Sequence, residues 1–220
     1  MSKEQYSYSA LLLDDSLEVV KKIKEQYAVQ MDLAIELLFE AWKNGKWVYI
    51  MGNGGSASTA THLAADLTKT VTENPSDKGI KAMALVDNIP GVSAFVNDWG
   101  WDNLYANQLA TFYESGGVGI AFSVHGGSGS DVAGQWSQNL MKGLQYIKDQ
   151  GGKTIGFSGF DGGPMKDLVD VSIVVPVDST PMVEGFHVVV NHIIVFGVKE
   201  RIKTYLKAKE GNLYGTGNFF

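Results

Sequence analysis

The sequence predicts an α/β fold, a three-layer α/β/α arrangement in which helices wrap a doubly wound, parallel five-stranded sheet. Short apolar segments alternate with longer segments of helical periodicity along most of the 220 residues. Most of the short segments are apolar along their whole length, as strands covered on both faces are. Such alternation indicates βαβ units, and right-handed crossovers then place helices on both faces of the sheet.

The first element is predicted to be a long helix, Ser16–Asn44, because its apolar residues recur with helical spacing. Residues 14–16 (Asp-Asp-Ser) offer N-caps, and Asn44 with Gly45 offers a C-cap. The apolar stripe is longer than a helix needs to cover a sheet. We therefore expect part of this helix to pack between subunits.

After residue 45 the predicted strands and helices alternate. Ligands in such sheets bind beyond the carboxyl ends of the strands, so the sequences at those ends should hold the chemistry. We expect one domain over residues 1–220, with a helical region at 1–45, an α/β core at 46–202 and a tail at 203–220. In chain order the predicted elements are strand Lys46–Met51, helix Ala57–Thr68, strand Ile80–Val86, helix Leu104–Tyr113, strand Val118–Ser123, helix Val132–Lys148, strand Thr154–Ser158, short helix Pro164–Leu168, strand Val171–Val175 and a long closing helix Met182–Lys207.

The composition excludes several classes of protein and site. Cysteine is absent, which excludes a disulfide scaffold, a thiol nucleophile and a zinc site with cysteine ligands. The formal charge is −6 without a block of Lys or Arg; sequence-independent binding to nucleic acid is not expected, although a local basic patch is left open. No apolar run has the length of a membrane span, and the start does not resemble a signal peptide. We therefore expect a cytoplasmic protein with no nucleic-acid or membrane partner.

A glycine-rich loop follows the first predicted strand and precedes a helix. Its glycines allow close approach of a ligand, and the N–H groups of the helix start favour an anion. An ordinary tight turn with Ser56 as N-cap is the alternative. The loop lacks the Lys-Ser/Thr pair of a Walker loop and the third glycine of the dinucleotide fingerprint. Its sequence is Gly52-Asn53-Gly54-Gly55-Ser56.

A second polar loop follows the third predicted strand and combines hydroxyl, imidazole and free N–H groups. This inventory suits a tetrahedral anion such as a phosphate or a sulfonate. The alternative is a loop whose Ser and Asp side chains only cap the next helix, and we expect Asp131 to act as that cap. The loop reads Ser123-Val124-His125-Gly126-Gly127-Ser128-Gly129-Ser130-Asp131.

Two further pairs of polar residues are candidates for ligand contact. His62 and Asp66 are four residues apart on a predicted helix, which puts both on one face and allows joint contact with a metal or a substrate. A structural ion pair is the alternative. Asn97 and Asp98 follow the second predicted strand; they could bind sugar hydroxyls, but taken alone they favour a cap on a turn.

The last predicted helix carries Glu184, His187 and His192 among apolar residues. Buried ionisable groups need partners, so these are either satisfied core or interface residues or ligands. Glu184 and His192 are about 12 Å apart along a straight helix. One ion can join both only if Glu184 precedes the helix or if different chains contribute ligands.

Together these motifs resemble the sugar isomerase (SIS) domain family, and most closely the phosphoheptose isomerases, which interconvert sedoheptulose 7-phosphate and a heptose 7-phosphate. The best match is the segment 52–56 followed by His62 and an acid four residues later. The similarity runs from the N-terminal helix to about Arg201 and leaves the tail outside. The resemblance implies the SIS fold and a homotetramer with active sites at subunit interfaces.

The resemblance also implies a role for each matched position. His187 matches a histidine that is not a ligand, whereas the metal ligands would be His62, Asp66, Glu184 and His192. Two carboxylates and two imidazoles suit zinc or another divalent ion. The substrate-binding residues would be Asn53, Gly54, Gly55, Ser56, Asn97, Asp98, Ser123, Val124, His125, Ser128 and Glu184.

Several residues depart from the family pattern. Asp66 stands where Glu is usual, so the metal or the reacting carbon must lie nearer the helix. Glu184 replaces a neutral Gln, and Thr70 stands where an Arg is frequent. Val124 and His125 replace two hydroxyl donors; since a phosphate monoester is nearly dianionic at pH 7 and a sulfonate is a monoanion, fewer donors leave a sulfonate as a second candidate.

We therefore expect a metal-dependent aldose–ketose isomerase, with zinc as the expected ion, that acts on a sugar with a terminal phosphate or sulfonate through an enediol. Asp66 and His192 are the expected proton-transfer pair, with Asp66 as the base at carbon. Isomerisation of another phosphosugar fits the same residues. The alternative is a non-catalytic SIS protein that binds partner proteins or senses sugar phosphates, since such a protein needs neither metal ligands nor a general base.

Overall fold

The computed structural model describes residues 7–131 and 134–214, and its centre is a sheet of five parallel strands. These strands are β1 (Trp47–Gly52), β2 (Lys81–Ala84), β3 (Val118–Phe122), β6 (Lys153–Gly159) and β7 (Val171–Val175). Their spatial order is β2-β1-β3-β6-β7. A separate short antiparallel pair is formed by β4 (Ser130–Asp131) and β5 (Gly134–Gln135).

Helices cover both faces of the sheet. A π-helical segment continues the second helix over Asp66–Thr70, and a 3-10 turn, Trp101–Asn103, lies between the third and the fourth. The helices are α1 (Tyr8–Lys43), α2 (Gly55–Ala65), α3 (Ile89–Trp99), α4 (Leu104–Phe112), α5 (Gln138–Asp149), α6 (Met165–Leu168) and α7 (Thr180–Tyr214).

Alternate residues of the central strands enter two separate cores, because successive side chains of a strand point to opposite faces. In β1, Val48 and Ile50 belong to a core shared with α1, α2 and α7. Tyr49 and Met51 belong to the core on the other face, shared with α4, α5 and α6. The predicted three-layer, doubly wound fold is therefore confirmed.

The two glycine-rich loops leave the sheet side by side. From β1 the chain moves outward to β2 and then returns across β1 to β3, which makes the β1–β3 boundary the switch point where ligands bind in such sheets. The last residues of these strands, Gly52 and Phe122, are paired in register. The two loops therefore begin at neighbouring points of one sheet edge.

Some predicted boundaries were wrong. α1 begins at Tyr8 instead of Ser16, and the second strand is shorter than predicted. The helix predicted from Val132 begins at Gln138, after Ser137. Asp131 lies in β4, so it is not the N-cap of α5; residues 132 and 133 lie outside the described residues.

Helix α3 was missed by the sequence analysis, although its start carries local signals. The Asn88 side chain accepts a hydrogen bond from the Gly91 N–H at 3.1 Å, and Pro90 lies in the first turn, as is typical of helix starts. No residue of α3 is buried. Its core-facing stripe is short, because only Val92, Phe95 and Val96 pack against the core shared with α4 and α5, and they are partly buried. Three such residues give little of the pattern from which the other helices were predicted.

By length and mean hydropathy (1.4), residues 180–209 of α7 would suffice to cross a membrane, contrary to the expectation for this sequence. The core helix of a globular protein meets the same criteria, and Val190, Ile194 and Val198 are buried in the core shared with α1. We therefore interpret α7 as a core helix. It extends through much of the tail expected at 203–220; residues 215–220 lie outside the described residues.

Candidate metal and substrate site

Three of the four predicted metal ligands come together where α2 and α7 meet. The ligand atoms of His62, Asp66 and His192 all lie within 4.8 Å of one another. Asp66 Oδ2 is 3.4 Å from His62 Nε2 and 3.5 Å from His192 Nε2. The two imidazole rings meet edge to face, with centroids 4.9 Å apart. One carboxylate oxygen therefore lies between two imidazole nitrogens.

The backbone at Asp66 explains how its carboxylate is presented. His62 is one turn earlier and shares the same helix face. At Asp66 the helix widens into a π turn, in which the Val71 N–H donates to the Asp66 carbonyl at 3.3 Å; such turns are frequent at functional sites. Thr70 Oγ1 donates to Asp66 Oδ1 at 3.0 Å. This bond holds one carboxylate oxygen, and the other faces the histidines.

The donor set fits a divalent cation. Asp66 Oδ2 is buried and accepts no hydrogen bond from any part of the chain that the structure describes, and such an oxygen is costly unless a positive group meets it. The side chains of His62 and His192 are 44% and 43% exposed, so the cluster is reachable from solvent. Imidazole nitrogen and carboxylate oxygen are the donors that zinc uses when cysteine is absent.

Glu184, the fourth predicted ligand, is not part of this cluster in the same chain. It lies inside α7, so the alternative that it precedes the helix is wrong. Its carboxylate lies against the first glycine-rich loop, because a Cβ added to Gly55 would be 2.6 Å from Glu184 Oε1. The eight residues between Glu184 and His192 span about 12 Å of helix. A site that uses all four ligands therefore requires Glu184 of another chain.

Side chains from α4 and α5 hold the first glycine-rich loop through hydrogen bonds. Gly54 precedes α2 with φ +55, a conformation that favours glycine. Asn53 and Asn139 exchange two hydrogen bonds of 2.9 Å, and Tyr105 OH donates to the Gly52 carbonyl at 2.5 Å. Burial raises the pKa of Tyr105, which keeps this phenol a donor. The Asn53 side chain is thus already engaged within the protein.

The second polar loop has the backbone conformation of an anion-binding loop. Gly126, Gly127 and Gly129 have φ of +57, +85 and +88, and left-handed residues in a turn form concavities lined by N–H groups. Within the described residues, no backbone oxygen accepts a hydrogen bond from the N–H of Val124 or of His125. These amides are the first candidates for contact with an anion.

The hydroxyl groups of the second loop are arranged in two ways. Ser123 Oγ is 3.1 Å from Ser137 Oγ, and Ser137, with φ +57, is the N-cap of α5. Both hydroxyls therefore lie at a helix N-terminus, which attracts anions. Ser128 Oγ instead donates to the His125 carbonyl at 2.7 Å, so its proton is used within the loop.

His125 packs against two aromatic rings that sequence analysis did not identify. Its ring centroid is 4.9 Å from that of Trp136 and 4.5 Å from that of Phe160. Phe160 has φ +54, which is uncommon for a bulky side chain. Aromatic surface thus flanks His125, at a position where the resemblance leads one to expect a hydroxyl.

Asn97 and Asp98 lie in the last turn of α3, so their interpretation as caps of a turn was wrong. Both are exposed. Asn97 Nδ2 donates to Asp98 Oδ1 at 2.7 Å, and the pair is not part of the cluster around Asp66. A role in binding sugar hydroxyls stays a prediction.

His187 is buried away from the candidate metal ligands, on the side of α7 that faces the sheet. It is 1% exposed, and its Nε2–H donates to the Ser158 carbonyl at 3.1 Å. Burial lowers the pKa of His187 to about 4. The residue is therefore a neutral core histidine, consistent with the position of a family histidine that is not a ligand.

We expect His187 to contribute to acid sensitivity of the fold. In the unfolded chain an imidazole binds a proton near pH 6.5, whereas the folded His187 does so only near pH 4; stability is therefore lost as the pH falls through this range, by up to about 3 kcal/mol. His187→Gln keeps an N–H for Ser158 and should reduce the loss. Urea unfolding of both proteins at about pH 7.5 and about pH 5 measures it; an equal loss in both contradicts the assignment.

Residues 13–159 match the SIS domain family. The lincomycin biosynthesis protein LmbN of Streptomyces lincolnensis is 40% identical to this chain over 166 residues. The aligned region is 74% of this chain and 59% of LmbN, so this chain spans less than two thirds of that relative. A phosphoheptose isomerase of Geotalea daltonii is 33% identical over 185 residues, 84% of this chain and 91% of the relative. The structure of a phosphoheptose isomerase from Neisseria gonorrhoeae has the same fold, with a TM-score of 0.77 at 22% identity over 87% of this chain and 97% of that one. The resemblance is confirmed: this chain belongs to the SIS domain family, in its phosphoheptose isomerase group.

Proposed function

We propose that this protein is a metal-dependent aldose–ketose isomerase whose substrate is a sugar with a terminal phosphate or sulfonate. The observation that carries the proposal is the buried oxygen Asp66 Oδ2, which lies between His62 and His192 and has no hydrogen-bond donor among the described residues. A protein that only binds a sugar needs neither such a ligand set nor a general base. The 33% identity to a phosphoheptose isomerase supports the same class.

The reaction moves a proton between C1 and C2 of the sugar through an enediol. We assign the removal of the carbon-bound proton to Asp66, since Thr70 orients its carboxylate and a base must come within hydrogen-bond reach of that proton. His192, on the other side of Asp66 Oδ2, exchanges a proton at the sugar oxygen or at the neighbouring carbon. His62, Asp66, His192 and a Glu184 would hold the divalent ion, for which we propose zinc. When bound, the ion supplies Lewis-acid polarisation of the sugar carbonyl.

We assign the terminal anion of the substrate to the second polar loop. The Glu184 carboxylate already lies at Gly55, where α2 begins, and its charge disfavours another anion there. The hydroxyls of Ser123 and Ser137 meet at the start of α5. His125 adds an imidazole in place of a hydroxyl, which makes a sulfonate a candidate beside a phosphate.

We propose that the working site is built from two copies of the chain, within a homotetramer. Glu184 is too far from His192 along α7 to meet the same ion. Beside His192, the side chains of Val189, Ile193 and Phe196 are about half exposed, an apolar surface that a second copy can cover. A monomer in light scattering would contradict this arrangement; the cytoplasmic location also stays a prediction.

Proton NMR in D₂O tests the proposed reaction. The zinc-loaded protein is given an equimolar mixture of sedoheptulose 7-phosphate and 6-deoxy-6-sulfofructose. We expect one ketose to form its aldose with deuterium at C2, because the enediol takes its new proton from a group that exchanges with solvent. The sugar that is consumed identifies the terminal anion.

The control is the same protein after removal of metal by a chelator, which should convert neither sugar. The metal content of the purified protein is measured in parallel. If zinc-loaded protein with a full complement of metal converts neither sugar, both proposed substrates are wrong. Another phosphosugar, or a protein that binds sugars without catalysis, would then be favoured.

A further inference from the structure

We propose that the protein has a second ligand site, a basic cavity at the amino ends of β1 and β2, for a soluble compound that carries several phosphate groups. The cavity has a volume of about 620 Å³. Five lysines line it, in a chain whose formal charge is −6, and no acidic side chain that the structure describes does so. These lysines are Lys43, Lys46, Lys78, Lys81 and Lys209.

The cavity is separate from the candidate catalytic site. Lys46 directly precedes β1 and Lys81 is the first residue of β2, whereas the two polar loops follow the other ends of β1 and β3. Lys209 comes 17 residues after His192 on α7, which is about 25 Å along the helix. The proposal therefore does not depend on the isomerase activity.

Two of the lining lysines have their ammonium groups positioned by residues at the edge of the cavity without being neutralised. Lys46 Nζ donates to the Ser115 carbonyl at 2.9 Å. Lys81 Nζ lies 6.0 Å from the centre of the Trp47 ring; aromatic faces orient a cation without cancelling its charge. Of the five lysines, only Lys43 has a carboxylate partner among the described residues, namely Glu40 at 3.0 Å.

A second cavity, of about 520 Å³, adjoins the first and shares Lys78 with it. Its wall carries Lys199, Lys203 and Lys207, which recur every four residues on one face of α7. Lys203 pairs with Glu73 at 2.9 Å, and this hydrogen bond together with the charges of the neighbouring lysines lowers the pKa of Glu73. Since four lysines in this second lining face only two carboxylates, Glu73 and Asp77, a reduced positive charge extends beyond the first cavity.

The shape and the charge of the cavity favour a small polyanion. Its volume is within the range of pockets that hold small molecules, and lysines bind phosphate groups as point charges. The ammonium groups of Lys43 and Lys209 lie 5.9 and 5.4 Å from the centre of the Tyr205 ring, which leaves this ring less available to stack on a planar base. Phosphate groups are therefore the part of the ligand that we expect the site to recognise.

Isothermal titration calorimetry of the full-length protein with inorganic tripolyphosphate, at about 150 mM salt, tests the proposal. The test variant is Lys78→Gln with Lys81→Gln. The control variant is Lys22→Gln with Lys24→Gln, which removes the same charge from exposed positions of α1 about 30 Å from Lys43 along the helix. We expect the test variant to bind tripolyphosphate about tenfold more weakly or worse, and the control to bind as the wild type does.

Both variants should keep the melting temperature of the wild type, since all four lysines are exposed. A nucleoside triphosphate is titrated next: equal affinity identifies the phosphates alone as the recognised group, and tighter binding identifies a nucleotide, both within the proposed class. Absence of tripolyphosphate binding, or binding that the test variant retains in full, overturns the proposal. The proposal is also overturned if a short DNA duplex binds more tightly than tripolyphosphate and the test variant loses this binding to DNA.

Discussion

Replacing Asp66 with Asn is expected to lower kcat by about a thousandfold or more, because the amide cannot take a proton from carbon and brings no charge to the metal. The chain should remain folded. Asn keeps an oxygen that can accept the Thr70 hydrogen bond. The variant also removes a charge from a buried oxygen that has no donor in the described part of the chain, so the metal-free variant should melt no lower than metal-free wild type. Steady-state kinetics, metal analysis and thermal unfolding measure these three results.

The matched control is Asp149→Asn, which changes an exposed carboxylate on α5 that accepts a hydrogen bond from Gln145 at 2.7 Å. It should leave kcat within about twofold of the wild type, as surface substitutions usually do. Turnover near the wild-type rate in the Asp66→Asn protein would remove Asp66 from the chemistry. Unfolding of the Asp66→Asn protein would contradict the separate expectation that the chain remains folded without this charge.

Mixing two separately inactive variants is expected to restore activity if each site takes residues from two chains. One variant carries Asp66→Asn and the other Glu184→Ala. The Glu184 carboxylate lies at Gly55, and the cluster around Asp66 lies about 12 Å further along α7. In a mixed pair of chains, one of the two sites therefore combines an intact Asp66 from one chain with an intact Glu184 from the other. Random exchange in a symmetric pair should then restore roughly a quarter of the wild-type activity, measured after mild dissociation and reassembly.

The control mixture combines Asp66→Asn with His192→Ala. Both residues belong to the same cluster of one chain, so neither kind of chain brings an intact cluster and no activity should return. Native mass spectrometry verifies that mixed oligomers form in each case. Mixed oligomers of the first pair without activity, or active oligomers of the control pair, would show that the site is not divided between chains in the proposed way.

The sheet and the meeting of His62 with Asp66 could be predicted because their signals are local. Buried strands such as Val171–Val175 are apolar runs of strand length, and the observed β7 has the predicted bounds. His62 and Asp66 share a helix face by spacing alone, and their side chains do meet. That His192 would join them followed from the resemblance, since no spacing rule connects α2 with α7.

The surroundings of the site could not be predicted, because they arise from contacts between distant parts of the chain. Asn139 pairs with Asn53 across 86 residues, and Tyr105 reaches Gly52 across 53. Phe160, which packs on His125, depends on a left-handed backbone that is rare for its residue type. None of these side chains carries a motif of its own. Their positions follow only from the layer packing that brings α4, α5 and the end of β6 beside the two loops.

The π turn at Asp66–Thr70 makes this part of the protein sensitive to chain length. Such a turn is in effect an α-helix with one inserted residue, and one residue rotates everything after it by about 100°. Beyond the turn, the Ile80 N–H donates to the carbonyl of the buried Leu67 at 2.8 Å, just before β2 begins. A deletion of a single codon here would therefore disturb the orientation of the Asp66 carboxylate and the approach to an edge strand together.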